Sequence, residues 1–386
     1  MQIMRRNLLP KLTAWKEKKD RKPLLLQGAR QVGKTTLLHQ FGKKCYQAYH
    51  MLNFEKDSRL AELFEENLDP NHLIREIELY LKTPIHRDSD LLILDEIQAC
   101  PRALTSLKYF AEDSPRLHVA AAGSLLGVYL GPVSFPVGKV DVLTLYPMDF
   151  EEFLLALDEK QLLDYMHSHA PGSAFSEIAH KRLFERLLHY FIAGGLPEVV
   201  KTFCDYQESH FTAFEKVREK QNDLITTYLG DIAKHSGKAN AMHISRVWQA
   251  VAAQLAATHD ASAPKFTFKG IIPGIDRYSR LANAIDWLEA ARLVLKVPIV
   301  NAGHLPFMAH TSESAFKLFL FDVGLLGAMA KIPPEVILKY DYGSYKGYFA
   351  EKYHSPYRII LSAHNFAQTP SIRYFPLYWA GKNLTE

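Results

Sequence analysis

The chain has 386 residues, of which 48% are hydrophobic and 23% charged, with a formal net charge of +4. That size and apolar content suit a globular protein of two or three domains and exclude a disordered or fibrous chain. The weak positive charge does not by itself imply nucleic acid, and no stretch approaches the ~18 apolar residues of a membrane span. Met1 to Pro10 carries Arg5 and Arg6 but no apolar core of signal-peptide length. Cys45, Cys100 and Cys204 are too widely spaced for a metal motif or a disulfide framework, so a reducing cytoplasm is expected.

Leu8, Leu9, Leu12 and Trp15 recur at helical spacing, and the charged run Lys16 to Lys22 reads as a solvated helix end. Pro23 to Gln27 is a short apolar run of buried-strand type. The stretch Gly28-Ala29-Arg30-Gln31-Val32-Gly33-Lys34-Thr35-Thr36 then has the form G-x-x-x-x-G-K-T, the Walker A phosphate loop. Thr36 to Phe41 continues with helical spacing, so the loop sits between a strand and a helix start. Gly28 and Gly33 allow the backbone to wrap closely around phosphate, and exposed amides at a helix start favour anionic oxygens. Lys34 suits the β- and γ-phosphates, and the Thr35 hydroxyl suits Mg²⁺. The whole stretch from Gly28 to Thr36 is the expected nucleotide-binding set.

Tyr49 to Phe54 reads as a second strand. Asp69-Pro70 opens a helix, with aspartate as cap and proline in the first turn, and Leu73, Ile74, Ile77 and Leu81 form its apolar face. Leu91-Leu92-Ile93-Leu94-Asp95-Glu96 is an apolar run ending in two acids, a Walker B pattern on a fully buried parallel strand. Asp95 is expected to serve Mg²⁺ with Thr35, and Glu96 to orient the attacking water. Leu117 to Ser124 is a further buried strand, with Ser124 at its tip as the candidate contact to the γ-phosphate or the water. Val140 to Leu145 is expected as the last core strand.

Together with Leu145-Tyr146-Pro147-Met148-Asp149-Phe150-Glu151-Glu152-Phe153, these motifs resemble a prokaryotic family of AAA-type ATP-binding proteins. The resemblance covers nearly the whole chain. It implies an α/β fold with a P-loop core at residues 1–148, a helical region at 149–235, a winged-helix-like domain at 236–335 and a truncated C-terminal domain at 336–386. It also implies ATP and Mg²⁺ as cofactors, with Lys34, Glu96 and Ser124 in catalytic roles. AAA proteins usually receive an arginine finger from a neighbouring subunit, so a homo-oligomer is expected, while Arg102 and Arg116 are the candidates within this chain.

Asp149-Phe150-Glu151-Glu152 has the spacing of a capping box. His167 and His169 read as loop histidines. Gly194-Gly195-Leu196-Pro197 reads as a helix break and restart, and residues 208–234 as a long charged helix. From His243 the order is helix, the alternating segment Lys265-Phe266-Thr267-Phe268, helix from Tyr278 to Ala291, and strands at Leu293 to Val300 and Ser314 to Phe321. That order is a winged-helix layout. Lys265, Lys269, Arg277, Arg280 and Arg292 are its candidate phosphate contacts, and both DNA binding and protein packing remain open. In the tail, Tyr345 to Glu351 resembles the opening of the family's C-terminal domain, and Arg358 to Ser362 and Ile372 to Tyr378 its last strands. The middle is missing, and with it the acid-then-E-x-K set of restriction-type nucleases. The tail is therefore expected either to pack on the winged-helix part or to be unstable.

The function implied is Mg²⁺-dependent ATP binding with slow hydrolysis, coupled to conformational change on an unknown protein partner. The alternatives are a nucleotide-gated DNA-binding or regulatory module with negligible turnover, and a chain that lost function with its tail.

Overall fold

The computed structural model describes residues 4–123, 136, 138–169, 173–257, 265–301, 305–339, 358–362, 365–368 and 372–379. The chain divides into two compact units, one of Arg6–Tyr146 with Asp286–Leu293 and one of the remainder. The first unit holds strands β1 (Leu24–Gln27), β2 (Ala48–Asn53), β3 (Asp90–Asp95), β4 (His118–Gly123) and β5 (Asp141–Thr144). Its helices are α1 (Leu9–Glu17), α2 (Lys34–Cys45), α3 (Pro70–Leu81) and α4 (Pro101–Asp113).

These strands form one sheet in the order β2-β3-β4-β1-β5, with every neighbouring pair parallel. Parallel neighbours need crossover connections, and the helices that provide them cover the sheet faces. β1, β3 and β4 are accordingly buried at every residue. One core joins Leu25, Leu92, Leu94, Val119 and Ala121 from the strands with Leu73, Ile77, Leu104 and Leu107 from α3 and α4. The alternation of Leu25, Leu92 and Leu94 with their neighbours puts every second side chain on this face. β5 is the expected last strand of the core sheet; it lies at the sheet edge and leaves Val142 exposed. Asp69 caps α3 by accepting the His72 amide at 2.9 Å, as its position before Pro70 requires.

The second unit contains α5 (Phe150–Ala156), α6 (Lys160–Ser168), α7 (Glu177–Ala193), α8 (Pro197–Asp205), α9 (His210–Ser236) and α10 (Lys238–Ala256). The capping box at the start of α5 is complete. Asp149 accepts the Glu152 amide at 2.8 Å, and Glu152 accepts the Asp149 amide at 3.1 Å. His167 lies in the last turn of α6 and not in a loop, with Nε2 3.2 Å from a Glu151 carboxylate oxygen. The apolar face Leu162, Leu163 and Met166 is buried, and that packing carries the helix through His167. His169 follows the helix and stacks on Phe175, ring centroids 4.8 Å apart.

The break at Gly194-Gly195 is a buried junction. Gly194 has φ +74°, and a Cβ there would strike the Asp322 carboxylate, while one on Gly195 would strike the Met148 backbone. Asp322 accepts the amides of Gly195 at 2.7 Å and Leu325 at 2.9 Å. Gln221 on α9 donates to the carbonyls of Ile192 and Ala193 at 2.8 and 3.0 Å. Orphan groups at the end of α7 are thus satisfied by side chains far away in sequence.

Next come α11 (Tyr278–Ala290), β6 (Val294–Val300), β7 (Thr311–Leu320), α12 (Val323–Met329) and α13 (Pro334–Lys339). β6 and β7 form an antiparallel hairpin with an irregularity between Pro298 and Val300. Lys265 to Phe268 is irregular backbone, anchored where the Phe266 amide donates to the Phe316 carbonyl at 2.9 Å.

The tail departs from expectation. β8 (Arg358–Ser362), β9 (Ala367–Gln368) and β10 (Ile372–Pro376) pair with one another in the order β8-β10-β9. Phe375, Tyr378 and Trp379 are buried in one cluster with Leu154, Leu162, Met166, Phe175, Leu183 and Leu187. The tail therefore packs on α5, α6 and α7, not on the winged-helix part, and Phe375 is not left exposed. The Asn365 amide completes the seam, donating to the Phe175 carbonyl at 2.6 Å and accepting its amide at 3.0 Å. The join near Glu351 and Lys352 lies outside the described residues. Phe375 is only 2% exposed, so Phe375→Ala should destabilise this cluster by about 3 kcal/mol or more. The expected readout is loss of amide-exchange protection in α6 and α7, with protection in β1 and β3 unchanged.

Candidate functional site

The carboxyl ends of the parallel strands gather at one edge of the sheet. Gln27 is level with Gly123 and Thr144, and Asn53 is level with Asp95. This edge is where open α/β sheets bind ligands. The loop after β1 leaves from its centre. Gly28 begins the loop against β5, where a Cβ would press into the Leu145 carbonyl oxygen. Gly33 ends it at φ +94°, a left-handed conformation that starts α2. Gln31 also takes a left-handed φ, +64°. Ala29 and Val32 are buried beneath the loop. Arg30 points outward to an ion pair with Glu55 at 2.9 Å. Thr36 is solvent-facing, so its share in the set is its backbone in the first turn of α2.

Lys34 opens α2 and is 7% exposed. Its ammonium donates to the carbonyls of Gly28 at 3.0 Å and Ala29 at 2.9 Å, across the mouth of the loop. Burial draws its pKa down to about 8, against the pull of Glu96 and Asp95 in the other direction. The Thr35 hydroxyl donates to the Asp95 carboxylate at 3.0–3.1 Å. Asp95 is buried, and desolvation followed by the adjacent Glu96 charge raises its pKa. Thr35 and Asn53 oppose that rise by donating to it.

Glu96 sits just past β3 at φ +52°. Its carboxylate accepts a 2.6 Å hydrogen bond from the Gln98 amide. Ser124 lies outside the described residues; β4 ends beside it at Gly123, where a Cβ would meet the Gln98 side chain. Arg102 donates through Nε to the Phe64 carbonyl. Arg116 pairs with Asp88 at the amino-terminal edge of the sheet, opposite the phosphate loop.

The fold brings Lys34, Thr35, Asp95 and Glu96 together and adds residues that sequence reading passed over. Asn53 donates to Asp95 at 2.7 Å, and its amide is turned that way because its oxygen accepts the Lys56 amide at 2.8 Å. A polar residue closing the strand next to β3 was the available signal. Gln27, buried at the end of β1, donates to the Thr144 hydroxyl at 2.7 Å. Arg6 had no local signal, yet its guanidinium donates to the Val32 carbonyl in the loop. Thr35 and Asp95 offer a hydroxyl and a carboxylate side by side, hard oxygen donors of the kind Mg²⁺ takes. The Lys34 ammonium and the amides at the start of α2 suit a polyphosphate. No helix among the described residues is long and apolar enough to cross a membrane.

Residues 20–154 match the family model of an AAA domain, and residues 184–336 match a domain of unknown function (DUF8612). No functionally curated protein matches the chain. Among solved structures, the Walker-type ATPase PABY2304 of Pyrococcus abyssi is similar at 15% identity and TM-score 0.51, covering 85% of this chain and 96% of that one. The Aeropyrum pernix ORC1 protein, solved in complex with DNA, shares 13% identity at TM-score 0.34, covering 86% and 92%. The Thermotoga maritima RuvB Holliday junction branch migration motor shares 12% identity at TM-score 0.35, covering 76% and 89%. The polypeptide is thus built on an AAA-type P-loop core at residues 20–154, followed by a domain of unknown function at residues 184–336.

Proposed function

We propose that this chain binds ATP with Mg²⁺ at the Gly28–Thr36 loop and hydrolyses it slowly to ADP and phosphate. The observation that carries this reading is the meeting of Lys34, Thr35 and Asp95 at the carboxyl edge of the sheet. Mg²⁺, when bound, neutralises charge on the β- and γ-phosphates. Thr35 and Asp95 would hold it, with Asn53 orienting the Asp95 carboxylate. Lys34 would exchange its loop carbonyls for phosphate oxygens. Glu96 would accept the proton of the attacking water, and Ser124, the next residue in sequence after β4, would sense the γ-phosphate. Two features support slow turnover. Glu96 is engaged by Gln98, and both Arg102 and Arg116 have partners within the chain. A neighbouring copy would supply the arginine finger, which makes the working form a cytoplasmic homo-oligomer. Conformational change would pass to residues 149–235 and 236–335 and from there to a protein partner.

A second reading places weak, sequence-independent DNA contact on the winged-helix-like segment. Lys265, Lys269, Arg277 and Arg280 are exposed there, whereas Arg292 is half-buried and does not join them. Binding of duplex DNA should fall steeply as salt rises, because such contact is mostly to phosphate. An absence of any shift at ~50 mM salt and micromolar protein would favour a packing role.

Lys34→Ala should weaken ATP binding by about 2 kcal/mol or more, through loss of charge-assisted contacts. Equal affinity of wild type and variant in calorimetry would refute the site. Glu96→Gln should keep ATP affinity and lose ~10²-fold in turnover. Negligible turnover in the wild type, with binding intact, would identify a nucleotide-gated regulatory module.

The lowered pKa of Lys34 makes binding pH-dependent. Above about 8 the amine is neutral in the free protein and must take up a proton to pair with phosphate. Affinity should then fall as pH rises, by up to about tenfold per unit. Calorimetry in two buffers of different ionisation enthalpy should report proton uptake at about pH 9. The same measurement on Lys34→Ala should show no such uptake.

A further inference from the structure

Arg6 lies before the first helix and outside every motif, yet it is 7% exposed. Its backbone is fixed at the start of α1, where its carbonyl accepts the Leu9 amide at 3.1 Å. Its guanidinium donates to the Val32 carbonyl at 2.7 Å and to the Tyr146 carbonyl at 2.6 Å. Val32 is the residue before Gly33-Lys34, so this bond grips the phosphate loop itself. In a trans peptide the C=O and N–H point in opposite directions. The oxygen of the Val32–Gly33 peptide faces Arg6, so the Gly33 amide points away from Arg6.

We propose that Arg6 is a positioning residue for polyphosphate binding, holding the Val32–Gly33 peptide so that the Gly33 amide donates to the phosphate chain of a nucleoside triphosphate. This rests on the reading of the loop as a nucleotide site. Charge assistance at the carbonyl also polarises the peptide and strengthens its N–H as a donor. Tyr146 gives the grip a fixed support. Thr144 takes the Gln27 amide, the Leu145 amide donates to the Gln27 carbonyl at 2.8 Å, and the Leu145 carbonyl abuts Gly28. Arg6 therefore ties the far half of the loop to the same short strap that supports its near half. A guanidinium suits this task because it presents two N–H groups at a fixed angle and keeps its charge when buried.

The test is calorimetry with tripolyphosphate on the full chain of wild type, Lys34→Ala, Arg6→Ala and Arg6→Lys, each checked for folding by circular dichroism. Arg6→Ala should bind roughly tenfold more weakly or worse, the scale of a lost hydrogen bond to a charged group. Arg6→Lys should lie between it and the wild type, since an ammonium can still reach one carbonyl. Low-millimolar guanidinium should restore affinity in Arg6→Ala but not in Lys34→Ala, an effect that a general loss of stability would not give. Wild-type affinity in a folded Arg6→Ala, or no rescue, would overturn the proposal. Should Arg6→Ala fail to fold, Arg6→Lys decides, and wild-type affinity in it would overturn the proposal. Absence of tripolyphosphate binding by the wild type, or binding that survives Lys34→Ala, would overturn the reading of the loop and this proposal with it. Loss in Lys34→Ala with retention in both Arg6 variants would overturn the role of Arg6 alone.

Discussion

β1 is bonded on both sides, to β4 and to β5, over the same four residues Leu24 to Gln27. A strand held this way cannot slip without moving Leu25 out of the core, because a shift of one residue exchanges the faces. The loop that follows therefore leaves the sheet at one fixed point, next to the ends of β4 and β5. Gly28 is required there because the backbone passes against the Leu145 carbonyl. The position of Lys34, and hence of the whole site, follows from the pairing of a short apolar strand.

The site concentrates buried charge, and its parts answer one another. Desolvation disfavours the ammonium of Lys34 and the carboxylate of Asp95 alike. Each is held by fixed polar groups, Lys34 by two carbonyls and Asp95 by Thr35 and Asn53. Such an arrangement favours a ligand that brings both negative oxygens and a divalent cation, since each then finds a partner already desolvated and oriented.

The second unit uses the same physics for a different end. Asp322 is buried and is held by backbone amides at the Gly195 turn and the start of α12. Those amides oppose the desolvation that raises its pKa. In the strap from Thr144 to Met148, Thr144 and the Leu145 amide bond to Gln27 at the end of β1, the Leu145 carbonyl abuts Gly28, and the Tyr146 carbonyl accepts from Arg6. The last residue of the strap, Met148, donates to the Gly195 carbonyl at 2.6 Å.

What the sequence determined by itself was local. The spacing of Gly28, Gly33 and Lys34, the apolar run ending in Asp95 and Glu96, and the caps Asp69 and Asp149 are set by contacts within a few residues, so they were legible as patterns. The parallel sheet was legible because fully apolar strands alternating with helices allow little else. The sequence misled over the tail, because its strands had lost the neighbours that the family resemblance supplied. Three short strands could pair among themselves, and Phe375, Tyr378 and Trp379 found a cover in α5, α6 and α7. Tertiary structure alone decided this, as it decided the places of Arg6, Asn53 and Asp322. Arg6 meets Val32 across 26 positions and Tyr146 across 140. No periodicity encodes such a meeting, because it arises only after the sheet has brought separate segments to one edge and a buried polar group must find a partner there.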